Sequence, residues 1–323
     1  MNNGINVLSL FDGISCGQIA LQRAGITVNQ YFASEIEKNA IKVTQYNWLN
    51  TIQLGDVTKV VGTDLPKIDL LTGGFCCQSF SFAGRQLNFN DPRGKLFFEC
   101  VRLLEECKPK YFLFENVRMK QEYQDIISEK LGVQPILINS SLVSAQNRVR
   151  LYWTNIPNVQ APIDRGILLK DIIQEDYDGI WVWPRGGNPG GIQGYNNKSP
   201  SLTTSSWQHN FKIYQKHNIT GVAVRGRVKD SSSNTWIQMP CYNAQGKAHC
   251  LLASFYHKGS SLYHGGRIRK FTPNEAEALQ TVPLDYTSIL SDNQRFKCLG
   301  NGWTVDVIAH ILSFIPRENF VNS

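Results

Sequence analysis

The first half of the chain alternates short apolar runs with amphipathic stretches of helical periodicity. The runs predict β-strands and the stretches predict helices, and their alternation is typical of βαβ units around a parallel sheet. The predicted strands are residues 5–10, 30–33, 52–54, 68–72, 111–114, 135–139 and 151–154. The predicted helices are residues 16–24, 37–47, 95–107 and 122–131. We therefore predict a fold of the α/β class.

The pattern changes at about residue 157. Glycine, asparagine, serine and proline cluster over residues 157–268, a composition that predicts a smaller, loop-rich, partly β domain. Helical periodicity returns at residues 273–280 and 305–314. The sequence thus predicts two domains: residues 1–156 together with 269–323, and residues 157–268.

The composition is that of a protein with a sizeable core. Hydrophobic residues make up 42% of the 323 residues, and no window approaches the roughly 18 consecutive apolar residues that a membrane span requires. The N-terminus lacks the basic and apolar regions of a signal peptide. The eight cysteines form no CxxC pair, which favours reduced thiols over a disulfide framework. We expect a soluble cytoplasmic protein without a membrane partner.

Basic residues are concentrated in one part of the chain. The net charge is +7 overall, but residues 198–270 contain eleven lysines and arginines against a single acid, Asp230. Five of the six histidines and several aromatic residues share this stretch. The combination is typical of a surface that binds a polyanion, although a solvated basic face would have a similar composition. The spacings of its cysteines and histidines fit no standard zinc site, so we predict no metal ion.

Three predicted strands end in polar or glycine-containing turns, at residues 11–13, 73–78 and 115–117. Ligands of open parallel sheets bind beyond the carboxyl ends of the strands, so we expect these turns to share a cleft. The first turn suits a nucleotide-type ligand, Glu35 is placed to accept ribose hydroxyls, and Asp56 is placed to reach an adenine amine. An NAD-dependent dehydrogenase would share the first two features, so they indicate an adenosine ligand without identifying it.

Further positions carry reactive or polar groups. Cys77 follows an apolar strand and a Gly-Gly pair, where a thiol can face a cleft and be ionised; a buried structural cysteine would be inert. Glu115, at the end of a buried strand, is placed to act as a general acid, the alternative being a solvated carboxylate. Gln146, Arg148 and Arg150 occupy alternate positions entering a strand. On the cleft side they would hold an anion or a polar base edge, and elsewhere they would be solvated.

Together these residues resemble the motifs of the DNA cytosine-5 methyltransferase family. Four segments of this chain resemble the cofactor motifs of the family: Phe11-Asp12-Gly13, Glu35, Asp56-Val57 and Gly300-Asn301-Gly302-Trp303. Four further segments resemble the catalytic motifs of the family: Cys77-Gln78, Glu115-Asn116-Val117, the QxRxR run at residues 146–150 and the RxxTPxExxxLQ run at residues 269–280. All occur in family order and cover the chain except its middle. Residues 10–14 and 302–305 lean toward the de novo branch of the family.

The resemblance implies a Rossmann-like domain that transfers a methyl group from S-adenosylmethionine to carbon 5 of cytosine in a specific DNA sequence. The implied cofactor-binding residues are Phe11, Asp12, Gly13, Ile14, Ser15, Glu35, Ile36, Asp56, Val57, Asn301 and Trp303. The implied catalytic residues are Cys77 as the nucleophile, Glu115 at ring nitrogen 3 of the base, and Gln146, Arg148 and Arg150. The smaller domain would then be a target-recognition domain.

The implied partner is double-stranded DNA. We expect a monomer of bacterial or phage origin, with a cognate restriction endonuclease in the same host as a further expected partner. Two alternatives remain open: an enzyme that uses the same motifs on tRNA, and a catalytically silent, sequence-specific DNA-binding protein of the same fold. The long variable region favours sequence reading on DNA.

One position departs from the family pattern. The family normally has proline immediately before the nucleophile, where this chain has Cys76. Proline would fix φ at about −65°, whereas Cys76 relaxes the turn and places a second thiol beside the first. Three interpretations stay open: a natural variant with Cys77 still nucleophilic, a catalyst with impaired activity or an altered donor or base preference, and a redox-sensitive pair of thiols.

Overall fold

The computed structural model describes residues 4–75, 96–168, 171–172 and 272–316, and the backbone of seven short strands between residues 179 and 269. Two compact units are present. The first comprises Met1–Leu168, Lys198–Thr204 and Pro273–Ser323, and the second comprises Leu169–Asn197 and Ser205–Thr272. The domain division predicted above, with residues 157–268 as the smaller domain, stays a prediction.

A seven-stranded sheet forms the centre of the first unit. Its strands are β1 Ile5–Leu10, β2 Val28–Ser34, β3 Ile52–Gln53, β4 Leu70–Gly74, β5 Tyr111–Val117, β6 Ile136–Asn139 and β8 Val149–Thr154. Their order is β3-β2-β1-β4-β5-β8-β6. The first five strands in this order are parallel, β8 is antiparallel to β5, and β6 is antiparallel to β8. The predicted α/β, Rossmann-like class is confirmed.

Seven α-helices of seven to twelve residues are described in the same unit. They are α1 Cys16–Arg23, α2 Lys38–Asn47, α3 Leu96–Cys107, α4 Gln121–Leu131, α5 Pro273–Leu279, α6 Asp292–Asn301 and α7 Val305–Leu312. The largest fully buried side chains include Trp153 and Phe114 on the sheet and Phe97 on α3. All predicted strands of the first half and all predicted helices are found, and α6 is an additional helix.

Shorter strands make up the rest of the described chain. They are β7 Gln146–Asn147, β9 Gly179–Val182, β10 Gln193–Tyr195, β11 Ser199–Pro200, β12 Phe211–Lys216, β13 Arg225–Lys229, β14 Trp236–Pro240 and β15 Gly266–Arg269. In the second unit, β10, β9, β12 and β15 form an antiparallel sheet in that order, and β13 pairs with β14. In the first unit, β11 pairs with β7.

Strand order places the candidate site. From β1 the strand order runs to one side through β2 and β3 and to the other side through β4 and β5. Ligands of doubly wound sheets bind at this point of reversal, between β1 and β4. Residues Phe11, Glu35 and Gly74 follow or end neighbouring parallel strands, so they come together at one edge of the sheet. Within the part of the chain that the structure describes, no helix has the length and apolar composition needed to cross a membrane.

Candidate functional site

The turn after β1 has an unusual backbone. Phe11, Gly13 and Ser15 have φ values of 55°, 60° and 57°, in the left-handed region where glycine is favoured and other residues are strained. Asp12 accepts hydrogen bonds from the Tyr31 hydroxyl at 2.7 Å and from the Ser15 hydroxyl. Removal from water raises the pKa of Asp12 to about 6, even though these hydrogen bonds favour its ionised form. Ile14 is fully buried beneath the turn.

Glu35 ties this turn to the end of β2. Its Oε2 accepts a hydrogen bond from the Gly13 amide at 2.8 Å. Its Oε1 accepts from the amides of Ile36 and Glu37, at 2.7 and 2.8 Å. A carboxylate oxygen can accept two hydrogen bonds, so Oε2 retains an acceptor position beside the glycine turn. The carboxylate thus both orders the turn and keeps a position for a ligand hydroxyl.

The neighbouring strand ends supply an apolar surface and an acid. The Ile36 side chain is 72% exposed, which leaves an aliphatic face beside Glu35. Asp56 Oδ1 accepts hydrogen bonds from the amide and the hydroxyl of Thr58, at 3.0 and 2.9 Å, and these bonds lower the pKa of Asp56. The side chain of Val57, which follows Asp56, is buried. An exposed aliphatic side chain, with one acid at the end of β2 and another after the neighbouring β3, suits an adenosine.

These residues fit S-adenosylmethionine. In a complex with this cofactor, Asp12 would offer a negative charge and Glu35 an acceptor for ribose hydroxyls. Ile36 would offer a surface for the adenine ring, and Asp56 an acceptor for its amine. The fit rests on the acceptor left on Glu35 and on the exposure of Ile36. When bound, this cofactor supplies an electrophilic methyl group.

Tyr286 also supports the turn, and the sequence analysis missed it. Its hydroxyl donates a hydrogen bond to the carbonyl of Ile14 at 2.8 Å and accepts one from Trp48 Nε1 at 2.8 Å. The ring is buried. Because Tyr286 lies 272 residues from Ile14 in the sequence, no local pattern could reveal this contact.

A second group of candidate site residues surrounds Glu115. Its side chain is 11% exposed, and the residue lies on β5 opposite Gly74 at the end of β4. Arg150 Nε donates to Oε1 at 2.9 Å, and Trp303 Nε1 donates to Oε2 at 3.2 Å. The structure therefore brings a predicted cofactor residue, Trp303, and two predicted catalytic residues into direct contact.

Gln146 and Arg148 have other partners. Gln146 Nε2 donates to the Leu279 carbonyl at 3.0 Å and to Gln280 Oε1 at 3.2 Å. Arg148 Nη2 donates to the Gly302 carbonyl at 3.0 Å. Both side chains are buried. Arg148 thus holds the chain immediately before Trp303 directly, whereas Gln146 acts through Gln280, whose Nε2 donates to the carbonyls of Leu299 and Gly302.

Some residues that the sequence predicts to be functional lie outside the described part of the chain. Cys77 and its neighbour Cys76 lie outside the described residues, and so do the basic side chains of residues 198–270. Asn301 is the last residue of α6 and is exposed. Among the described residues, no group of three or more His, Cys, Asp or Glu side chains is arranged to hold a metal ion.

Comparison with known proteins identifies a family model and relatives that match most of the chain. The family model described as C-5 cytosine-specific DNA methylase matches residues 5–317. The chain is 28% identical over 317 residues to the type II methyltransferase M1.ScrFI of Lactococcus lactis subsp. cremoris, covering 94% of this chain and 75% of that protein. It is 27% identical over 326 residues to the type II methyltransferase M.NlaX of Neisseria lactamica, covering 94% of each.

The fold also matches a solved structure. The methyltransferase EhMeth of Entamoeba histolytica superposes with a TM-score of 0.65, covering 96% of this chain and 97% of that chain. The two sequences are 19% identical, so this likeness supports the fold alone.

Proposed function

The chain belongs to the C-5 cytosine-specific DNA methylase family, and we propose that it methylates carbon 5 of cytosine through a covalent adduct between Cys77 and a flipped-out base. It is a DNA cytosine methyltransferase that uses S-adenosylmethionine. The observation that carries the covalent proposal is the buried Glu115 carboxylate, which is held from both sides at the strand end next to Gly74. Only two residues, Phe75 and Cys76, separate Gly74 from Cys77 in the sequence.

Carbon 5 of cytosine is a poor nucleophile and must be activated. In the proposed mechanism the Cys77 thiolate adds to carbon 6 while Glu115 binds ring nitrogen 3, which makes carbon 5 enamine-like and nucleophilic. After methyl transfer, a water molecule accepts the carbon 5 proton, the 5,6 double bond re-forms and the bond between carbon 6 and sulfur breaks. These changes release 5-methylcytosine and regenerate the Cys77 thiolate. Arg150 orients Glu115 through the ion pair described above. Arg148 supports the chain before Trp303 directly, and Gln146 supports it through Gln280.

The base must leave the duplex to reach such a site. Flipping costs a few kcal/mol, which contacts to the DNA backbone would offset. We assign those contacts and the choice of target sequence to residues 198–270, because eleven of their side chains are basic and one is acidic. We also propose a monomer, since the cofactor and catalytic residues named here all belong to one chain. The type II names of the relatives support a cognate restriction endonuclease.

Bisulfite sequencing of DNA from cells that express the protein tests this function and reads the target. We expect 5-methylcytosine at one recurring sequence, and a variant that carries residues 198–270 from a relative with another target should methylate that other sequence. Tritium transfer to purified DNA and tRNA separates the alternatives. Transfer to tRNA alone would identify an RNA enzyme, and transfer to neither would leave a DNA-binding protein of the same fold.

We predict that Glu35→Ala weakens the binding of S-adenosylmethionine in the absence of DNA. The variant loses the ribose acceptor and leaves the amides of Gly13, Ile36 and Glu37 without their partner. The expected cost is about 1–3 kcal/mol, and isothermal calorimetry measures it.

Glu37→Ala is the matched control. Glu37 lies two residues away, and its carboxylate forms an exposed ion pair with Lys297 at 2.7 Å. Its replacement should leave the affinity within about twofold of the wild type, because exposed ion pairs contribute little. Equal affinities of the wild type and Glu35→Ala would reject the assignment of Glu35 to the ribose.

A further inference from the structure

Trp303 makes a contact that its predicted role in cofactor binding does not require. Its indole N–H donates to Oε2 of Glu115 at 3.2 Å, while Arg150 donates to Oε1 at 2.9 Å. The two donors thus approach different oxygens of one buried carboxylate. A carboxylate held at both oxygens cannot rotate freely about its terminal bond.

The position of the indole is itself fixed by its surroundings. A β-carbon at residue 74 would lie 2.8 Å from Trp303 Nε1 and 3.2 Å from Glu115 Oε2, and one at residue 17 would lie 3.8 Å from Trp303 Cζ3. The indole therefore lies against two glycines, at the end of β4 and at the start of α1. Only glycine at position 74 leaves room for both the indole nitrogen and the carboxylate.

The backbone on either side of Trp303 is held as well. The Gly302 carbonyl accepts hydrogen bonds from Arg148 at 3.0 Å and from Gln280 Nε2 at 3.3 Å. The Thr304 hydroxyl donates to Gln280 Oε1 at 3.0 Å, and the Val305 amide donates to the Gln280 carbonyl at 3.0 Å. All of these partners are buried in the first unit. The indole donor is thus preorganised rather than free to follow the carboxylate.

We infer that Trp303 is a positioning residue for Glu115: its indole N–H, wedged against Gly74, holds Oε2 so that the carboxylate meets ring nitrogen 3 of the target cytosine in one orientation. This inference rests on the proposed role of Glu115. It also connects two of the QxRxR residues to one purpose, since Arg150 holds Glu115 and Arg148 holds the chain before Trp303.

Trp303→Phe tests the inference, because phenylalanine keeps an aromatic ring and removes the donor. We expect kcat to fall about 10- to 100-fold, the effect of losing one hydrogen bond to a charged group. The affinity for S-adenosylmethionine, measured by calorimetry, should change less than about threefold. Gly74→Ala, whose methyl group would displace the indole, should lower kcat in the same way.

A double-mutant cycle with Glu115→Gln separates positioning from a general structural effect. If Trp303 acts through Glu115, Trp303→Phe should lower single-turnover rates by less than about twofold in the Glu115→Gln background, because interacting residues are not additive. Equal losses of rate in both backgrounds would overturn the inference. Replacement of Trp303 by β-(3-benzothienyl)alanine, which exchanges only N–H for sulfur, gives the same test if Trp303→Phe does not fold.

Trp153→Phe is the control for removing a buried indole. Trp153 Nε1 donates to the Ser128 hydroxyl at 3.0 Å and not to Glu115, so kcat should stay within about twofold of the wild type. A wild-type enzyme that does not methylate DNA would refute the proposed function itself. A wild type that methylates DNA with an unchanged kcat in Trp303→Phe would refute only the role of Trp303.

Discussion

Replacement of Cys77 by serine is expected to abolish DNA methylation, a loss of at least about 10³-fold, whereas replacement of Cys76 by serine should preserve it. Register is the reason: Cys77 is followed by Gln78, as in the nucleophile motif of the family. A serine hydroxyl is far weaker as a nucleophile than a thiolate at neutral pH. Tritium transfer to DNA measures the loss, and covalent trapping on DNA that contains 5-fluorocytosine measures adduct formation directly.

The thiols that the structure describes do not compete for this role. Burial raises the pKa of Cys16 and of Cys298 to about 12. Burial also raises the pKa of Cys100 and of Cys107. Since the thiolate is the reactive form, these four cysteines are protonated and poorly nucleophilic at neutral pH.

Cys107→Ser is the matched control for the loss of a thiol. Cys107 lies at the end of α3, and we expect the variant to trap and methylate as the wild type does. Trapping that survives Cys77→Ser and disappears in Cys76→Ser would assign the nucleophile to Cys76. Cys76→Pro separates the three interpretations of this turn: an unchanged rate indicates a tolerated variant, a faster rate indicates an impaired natural catalyst, and a loss of oxidant sensitivity indicates a redox pair.

Local patterns predicted the sheet well, because its strands are buried and therefore almost continuously apolar. In β1 five of six positions are buried, and in β4 four of five. Helix α6 was missed because its sequence, DNQRFKCLGN, contains few large apolar residues. A different signal was available: Ser291 precedes the helix and Gln294 accepts a hydrogen bond from its amide at 3.2 Å, which is the pattern of a capping box.

The candidate site was predicted less completely than the sheet. Motif order identified Glu115, Arg150 and Trp303, but not that they contact one another. Alternation also suggested one common direction for Gln146, Arg148 and Arg150, yet β7 ends at Asn147 and β8 begins at Val149, so Arg148 lies at a break between strands. Contacts between buried polar groups depend on partners that are distant in the sequence, and hydropathy contains no information about them.

Removal of the Glu277 carboxylate is expected to destabilise the fold by about 3–5 kcal/mol, because the buried Arg295 guanidinium then keeps only the neutral Asn274 and Thr287 and an exposed Asp285 at 4.0 Å as partners. Glu277 is fully buried on α5, and Arg295 Nη2 on α6 donates to its Oε1 at 2.9 Å. The amide of Thr287 also donates to Oε1 at 2.9 Å, and the amide of Asp285 donates to Oε2 at 2.7 Å. Glu277→Ala removes the acceptor of all three donors at once, and urea denaturation measures the free energy of unfolding.

Lys297→Ala is the matched control, because it removes an exposed ion pair on the same helix as Arg295. Lys297 pairs with Glu37 at 2.7 Å, but the two side chains are 49% and 40% exposed, so its loss should cost less than about 1 kcal/mol. Replacing Glu277 and Arg295 together by leucine should cost less than Glu277→Ala, since no unpaired charge remains. A Glu277→Ala variant as stable as Lys297→Ala would show that the buried pair does not hold α5 to α6, and the support that Tyr286 gives to Ile14 would then need another anchor.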